Sequence, residues 1–276
     1  MKKYIDAMRF GEPALAGFDD DHVTRTFIAC AFFMVALFVV TLPAWFLDAR
    51  TIDGISVWLK PLKFNISLAV HFLTLAILAR QLPRNVRAGP TLSIFAVAAM
   101  GALVFEQIYI MIQSARGRRS HFNFDTDLES LMYALMGLGA LLLVAVAIVL
   151  GVQIWRKGSR DRAGLRLGSI LGLVLGSVVT IGFAGYMSSS GSHWVGAPSA
   201  QDLSIPFFGW SREVGDLRPA HFVALHMMQS LPLIGFLADK FTNSGKLVVI
   251  AACVLQLALA AALFFQALGG HPFWPA

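Results

Sequence analysis

Seven stretches of this chain are apolar for long enough to cross a lipid bilayer, with short polar segments between them. They run approximately from Thr26 to Leu47, Pro61 to Gln81, Thr91 to Gln113, Leu128 to Trp155, Gly164 to Met187, Pro219 to Asp239 and Lys246 to Leu268. The hydrocarbon core is about 30 Å thick and a helix rises about 1.5 Å per residue, so about 20 apolar residues make one crossing. The pattern predicts an all-α fold, a polytopic membrane protein built as a seven-transmembrane-helix bundle. Residues 23–276 form one transmembrane domain after a polar segment, 1–22. The longest connection, about 188–218, carries Trp194, Phe207, Phe208 and Trp210. So many aromatics predict a loop folded over the surface, its rings at headgroup level. Thr126 and Glu129 have capping-box spacing, which predicts a helix start there. Pro43 and Pro232 fall inside apolar stretches and predict kinks. Gly168, Gly172 and Gly176 recur every fourth residue, giving one helix face on which another helix can approach closely. That face serves packing within the chain or, alternatively, a homodimer.

Composition agrees with the pattern and excludes soluble classes. Of the 276 residues 57% are hydrophobic and only 14% are charged, and the mean hydropathy is +0.69. A soluble domain is about 45–50% apolar and about 25% charged. Fourteen of the 22 Lys and Arg residues fall in segments on the same side as the N-terminus. Cytoplasmic loops retain basic residues, so the N-terminus is expected inside and the C-terminus outside. The first 22 residues are then a cytoplasmic segment and the first apolar stretch an uncleaved anchor. The net charge of +6 reads as a topology signal, with the bilayer as partner and no nucleic acid. Cys30 and Cys253 both lie in apolar stretches and read as small buried residues.

The scarce polar residues inside the stretches carry the candidate chemistry, because ionisable groups in a membrane are costly and need partners. Lys60, Lys63, Ser67, His71 and Thr74 have helical spacing, a polar track leading inward from the outer end. Glu106, Tyr109 and Gln113 share a face of the third stretch, and His226 and Gln229 a face of the sixth. His71, Glu106 and His226 are expected at similar depth, about 10–15 Å from the same end. A rim of His121, Asn123, Arg218 and His221 surrounds them. Two imidazoles suit a haem b iron, with His71 and His226 as axial ligands. With Glu106 added they suit a transition metal, Glu106 acting as third ligand or as proton acceptor in catalysis. Lys60, Lys63 and Arg218 would hold an anionic group, a haem propionate or the carboxylate of a small molecule entering from outside. The same residues also read as a transporter or binding protein for a small anion, with Glu106 carrying a proton. A third reading treats the polar layer as structural glue, with His71 bonded to a backbone carbonyl and Glu106 paired with a cation. His193, in the long loop, reads as solvated. His221 and His226 are five residues apart, about 140° on a helix, so they are not expected to face one ion.

Two segments, Ser120-His121-Phe122-Asn123 and Gly215-Asp216-Leu217-Arg218-Pro219-Ala220-His221-Phe222, with Glu106 and Gln113 upstream of the first, resemble segments of a family of uncharacterised multi-pass bacterial inner-membrane proteins. The resemblance runs over most of the chain from the second apolar stretch onward. It implies residence in the bacterial cytoplasmic membrane and implies no particular reaction.

Overall fold

The structure, a computed structural model, describes residues 21–199 and 204–275. Of the segment 1–22 only Asp21 and His22 are among them. The architecture is a helical bundle: α1 (His22–Leu47), α2 (Leu59–Ala79), a short α3 (Arg84–Arg87), α4 (Pro90–Ala115), α5 (Asp127–Lys157), α6 (Ala163–Ile170), a π-helical turn (Leu171–Leu175), α7 (Gly176–Ser189), α8 (Arg218–Leu225), α9 (Met227–Phe241) and α10 (Gly245–Leu268). Two small antiparallel pairs complete it, β1 (Thr51–Ile52) with β2 (Ile55–Ser56), and β3 (Trp194–Val195) with β4 (Gly215–Asp216). Six helical units are long and apolar enough to cross a membrane, α6 to α7 counting as one, and the α8–α9 pair, bent by 42°, makes a seventh when taken as one span. The fold is the all-α polytopic bundle that the apolar pattern predicts.

Polar contacts fix which helix ends lie together. Asp21 caps α1 by accepting from the Val23 and Thr24 N–H groups, and it ion-pairs with Arg87. Burial pushes this carboxyl upward, but the Thr24 N–H and hydroxyl and the Arg87 guanidinium outweigh it and hold it below its usual range. The Ser159 N–H donates to the Gln81 carbonyl, and Asp239 of α9 accepts from the Gly164 and Leu165 N–H groups at the start of α6. These contacts gather one end of the bundle. The other, the loop end, carries residues 48–58, 116–126, 190–199, 204–217 and the segment after α10, where Arg212 donates to the Pro275 carbonyl. Thr126 caps α5 by accepting from the Glu129 N–H at 3.2 Å, as the capping box requires.

The glycine face is used inside the chain. A Cβ on Gly168 would meet the Leu231 carbonyl oxygen at 2.2 Å, and one on Gly172 the Met227 carbonyl oxygen at 2.4 Å. One on Gly176 would lie 2.8 Å from the Met227 Cβ. Lipid tails are as apolar as the side chains, so such close backbone approach supplies dispersion that the hydrophobic effect does not. The α9 segment therefore packs on this face within the chain.

Pro43 leaves α1 unbroken through Leu47. The expected kink at Pro232 takes a different form: α9 continues through Pro232, and the bend lies six residues earlier, at His226. Two features accommodate the break there. The Val223 carbonyl, freed from the helix ladder, accepts from Gln256 Nε2 of α10 at 3.3 Å, and the π-helical turn packs Gly172 against Met227 and Met228. Replacing Gly168 or Gly172 by Ala is expected to cost about 1–3 kcal/mol, the usual penalty for overpacking. Gly182 has nothing within 4 Å of its Cβ position, and Gly182→Ala is expected to be neutral. Unfolding of the three variants in detergent checks the contrast.

Candidate functional site

The bundle brings a set of basic and imidazole side chains together at the loop end. Lys60 and Lys63 stand on the first turns of α2, with Arg218 opposite at the start of α8. Lys60 lies in electrostatic reach of Lys63, Arg218 and Glu106, and Lys63 in reach of Arg218 and Asp216. His121 interacts with Lys60 and His193, and His193 with Arg218, Asp216, Lys60 and Arg119. Three cations, two imidazoles and two acids thus surround one region.

Local chemistry explains how each is held. Asp216 is 2% exposed and grips Arg218 through both oxygens, the closest contact 2.5 Å, while its carboxylate also accepts from the Ser211 and Arg218 N–H groups. Arg218 Nη2 also donates to the Gly209 carbonyl at 2.6 Å. Lys63 Nζ donates to the adjacent Phe208 carbonyl at 3.0 Å. Lys60 makes no hydrogen bond to a described residue and lies 5.9 Å from the centroid of the Phe64 ring. His121 packs between Phe64 and Tyr133 at 5.8 and 6.1 Å between centroids. The neighbouring Phe122 sits at φ +52°, a left-handed conformation unusual for an aromatic residue, and its ring lies between Tyr133 and His193.

His193 is placed differently from the sequence expectation. It is partly buried rather than solvated: Trp194 packs on its ring at 4.4 Å, its carbonyl accepts from the Leu217 N–H, and its Nε2 is buried without a partner. The β3–β4 pairing draws it in. Burial, followed by the Arg218 guanidinium, lowers its pKa to about 3, and burial with Lys60 nearby holds His121 well below its usual range.

Glu106, 3% exposed, points one oxygen at Gly139 of α5, where a Cβ would lie 2.6 Å from Oε1, and this oxygen has no hydrogen-bond partner. His71 lies near the Leu143 carbonyl and leaves Nε2 buried without a partner. His226, beside the helix break, packs tilted against Phe222 at 4.2 Å between centroids and shares a hydrogen bond with Gln229, whose amide donates to Thr74 Oγ1 of α2 at 3.3 Å. His221 lies near His226 electrostatically, without a joint ligand geometry. Among the described residues no group of three or more His, Cys, Asp and Glu side chains could hold a metal ion. The expected set of His71, His226 and Glu106 is therefore not formed: helix rise fixed their height but not their direction around each axis.

Gln113 and Asn123 serve the turn between α4 and α5. Gln113 bonds Tyr109, Arg116, the Arg119 carbonyl and Glu129, while Asn123 donates to the Arg119 carbonyl and accepts from the Asp125 N–H. Arg118 and Arg119 pair with Glu129 and Asp53 and line a surface pocket of about 270 Å³ with Asn123 and Asp125. Three features of the site were not assigned to it from the sequence: His193, read as solvated, the notch at Gly139, and the paired Phe208 and Gly209 carbonyls. The Asp216–Arg218 spacing was a usable signal, since an acid two residues before an Arg can close a short charged turn.

No protein-family model, curated protein or solved structure matches the chain.

A free imidazole takes its proton near 6.5 and His193 only near 3. Between these values the unfolded state binds more protons, so this residue lowers stability progressively as pH drops from about 6.5 toward 3. Thermal unfolding across that range is expected to show this loss. His193→Gln is expected to flatten part of the slope, and an unchanged slope would contradict the burial.

Proposed function

We propose that this chain is a bacterial inner-membrane protein that binds a small anionic solute at its outward-facing end, as a transporter or binding protein. The observation that carries the reading is the convergence of Lys60, Lys63 and Arg218, with neither ammonium hydrogen-bonded to a carboxylate. Partly buried cations in an apolar bundle are strong anion receptors, because little water competes with the ligand. Below them Ser67, His71 and Thr74 continue along α2, with Gln229 bridging to Thr74, a polar path toward the bundle centre. The N-inside orientation rests on the distribution of Lys and Arg, and the bacterial inner membrane on the resemblance of the two motif segments.

The test is anion-dependent thermal stabilisation of the purified protein at constant ionic strength. A small oxyanion is expected to raise the unfolding midpoint saturably. Lys63→Met is expected to weaken the effect at least tenfold, since losing a buried charge partner costs about 2–5 kcal/mol. No stabilisation by any small anion would sink the reading.

One observation favours a second reading, haem b with His71 as an axial ligand. A buried imidazole nitrogen without a partner, as at His71 Nε2 beside the Leu143 carbonyl, is available to ligate an iron. The visible spectrum of the purified protein decides it. A Soret band lost in His71→Ala is the expected sign, and the absence of haem would end it.

A further inference from the structure

Residues 205–210 form a compact strap over the basic cluster. The Ile205 N–H donates to the Trp210 carbonyl at 2.8 Å, and the Gly209 N–H returns to the Ile205 carbonyl at 2.7 Å. Phe207, at the tip, sits at φ +64° and is 49% exposed, and Gly209 at φ +67° presses toward Ile55 and Lys63. The strap places two consecutive peptide oxygens on the two strongest donors of the site, Phe208 on Lys63 and Gly209 on Arg218. These are neutral acceptors on charged donors. An oxyanion offers the same lone pairs with full charge, and so adds a Coulombic attraction to the cations that a peptide oxygen lacks.

Charge and geometry narrow the ligand. Arg218 and Asp216 cancel as an ion pair, which leaves two ammonium groups, neither hydrogen-bonded to a carboxylate. Glu106 is the further acid in reach of Lys60, at a distance with no hydrogen bond. Donors on three residues from two helices match the several oxygens of a tetrahedral anion better than the two of a carboxylate. The strap also has somewhere to go. Beside it a groove of about 400 Å³ is lined by Ile205, Pro206, Arg212, Phe273 and Trp274.

We infer that the ligand is a phosphate-class dianion that enters by displacing the 205–210 strap, its oxygens taking the donors that Lys63 and Arg218 now give to the Phe208 and Gly209 carbonyls, with Lys60 as the third cation. This rests on the anion-binding reading above. The strap is a built-in competitor: it satisfies the cations when the site is empty and yields to a ligand of higher charge. The phosphate group could belong to a free solute or to a lipid head, and both share this chemistry.

The experiment combines titration of the full-length protein in nanodiscs with hydrogen exchange of the peptides covering 204–211. Inorganic phosphate is expected to bind at least tenfold more tightly than acetate and to speed exchange of the Ile205 and Gly209 amides about tenfold. Ile55→Ala loosens the seat of Gly209 without touching the cations and is expected to tighten phosphate binding several-fold. Phosphate binding with unchanged or slower strap exchange would overturn the displacement and leave the anion site standing. Acetate binding as well as phosphate would overturn the dianion assignment alone. Failure of phosphate, sulfate and acetate alike would remove the underlying anion reading as well. Competition by short-chain phosphatidic acid at far lower concentration than phosphate would mark a lipid head as the source. Its absence would mark a free solute, and either result supports the phosphate class.

Discussion

A cation inside an apolar bundle must be answered by an anion or by oriented dipoles, and the loop end of this protein is organised around that demand. Arg218 receives a carboxylate and a peptide carbonyl, Lys63 a carbonyl, and Lys60 only an aromatic ring and the distant Glu106. Removing one partner of a buried ion pair costs about 3–5 kcal/mol, because the other charge is left uncompensated. Asp216 is held in place by the backbone N–H groups of Ser211 and Arg218, so the surrounding loop conformation follows from this requirement. Asp216 is also half of β4, whose pairing with β3 brings His193 against the same charges.

The two bundle halves meet this constraint differently. On one side α2 packs against α1 and α4 through large apolar residues such as Phe27, Phe72 and Leu103. On the other, glycines let the α6–π–α7 span contact α9 backbone to backbone. The sixth span is broken at His226, beside the Gly172–Met227 contact, and Gln256 repairs the exposed carbonyl. Between α2 and α9 the bridge is polar, the Gln229–Thr74 hydrogen bond. A small-residue seam lies beside a polar seam, and the polar side chains continue along α2, below the cations.

Much of the fold was legible because the apolar pattern has a single physical use: long uninterrupted runs satisfy their own backbone in lipid only as helices. Thr126 announced its cap and the glycine spacing its close approach, and both are found. Lys60, Lys63 and Arg218 were legible as candidates because charges at the ends of apolar runs stand out. The joint role of His71, Glu106 and His226 was not settled by spacing, which gives depth along a helix but not which neighbour a side chain meets. Glu106 turns toward Gly139, His71 toward Leu143 and His226 toward Gln229. His193 and the strap carbonyls were hidden for another reason. Their positions depend on Trp194 pairing with Asp216 across the long loop, a contact that no local pattern encodes.

The central claim is that Lys60, Lys63 and Arg218 form one anion site beneath the strap. Anomalous diffraction from crystals soaked in tungstate, a heavy tetrahedral dianion, tests it most directly. One dominant peak is expected within hydrogen-bonding distance of the Lys60 and Lys63 ammonium groups and the Arg218 guanidinium, with the Phe208 and Gly209 carbonyls moved away from it. Peaks confined to the surface arginines Arg118 and Arg119, with the strap still closed on Lys63 and Arg218, would contradict it.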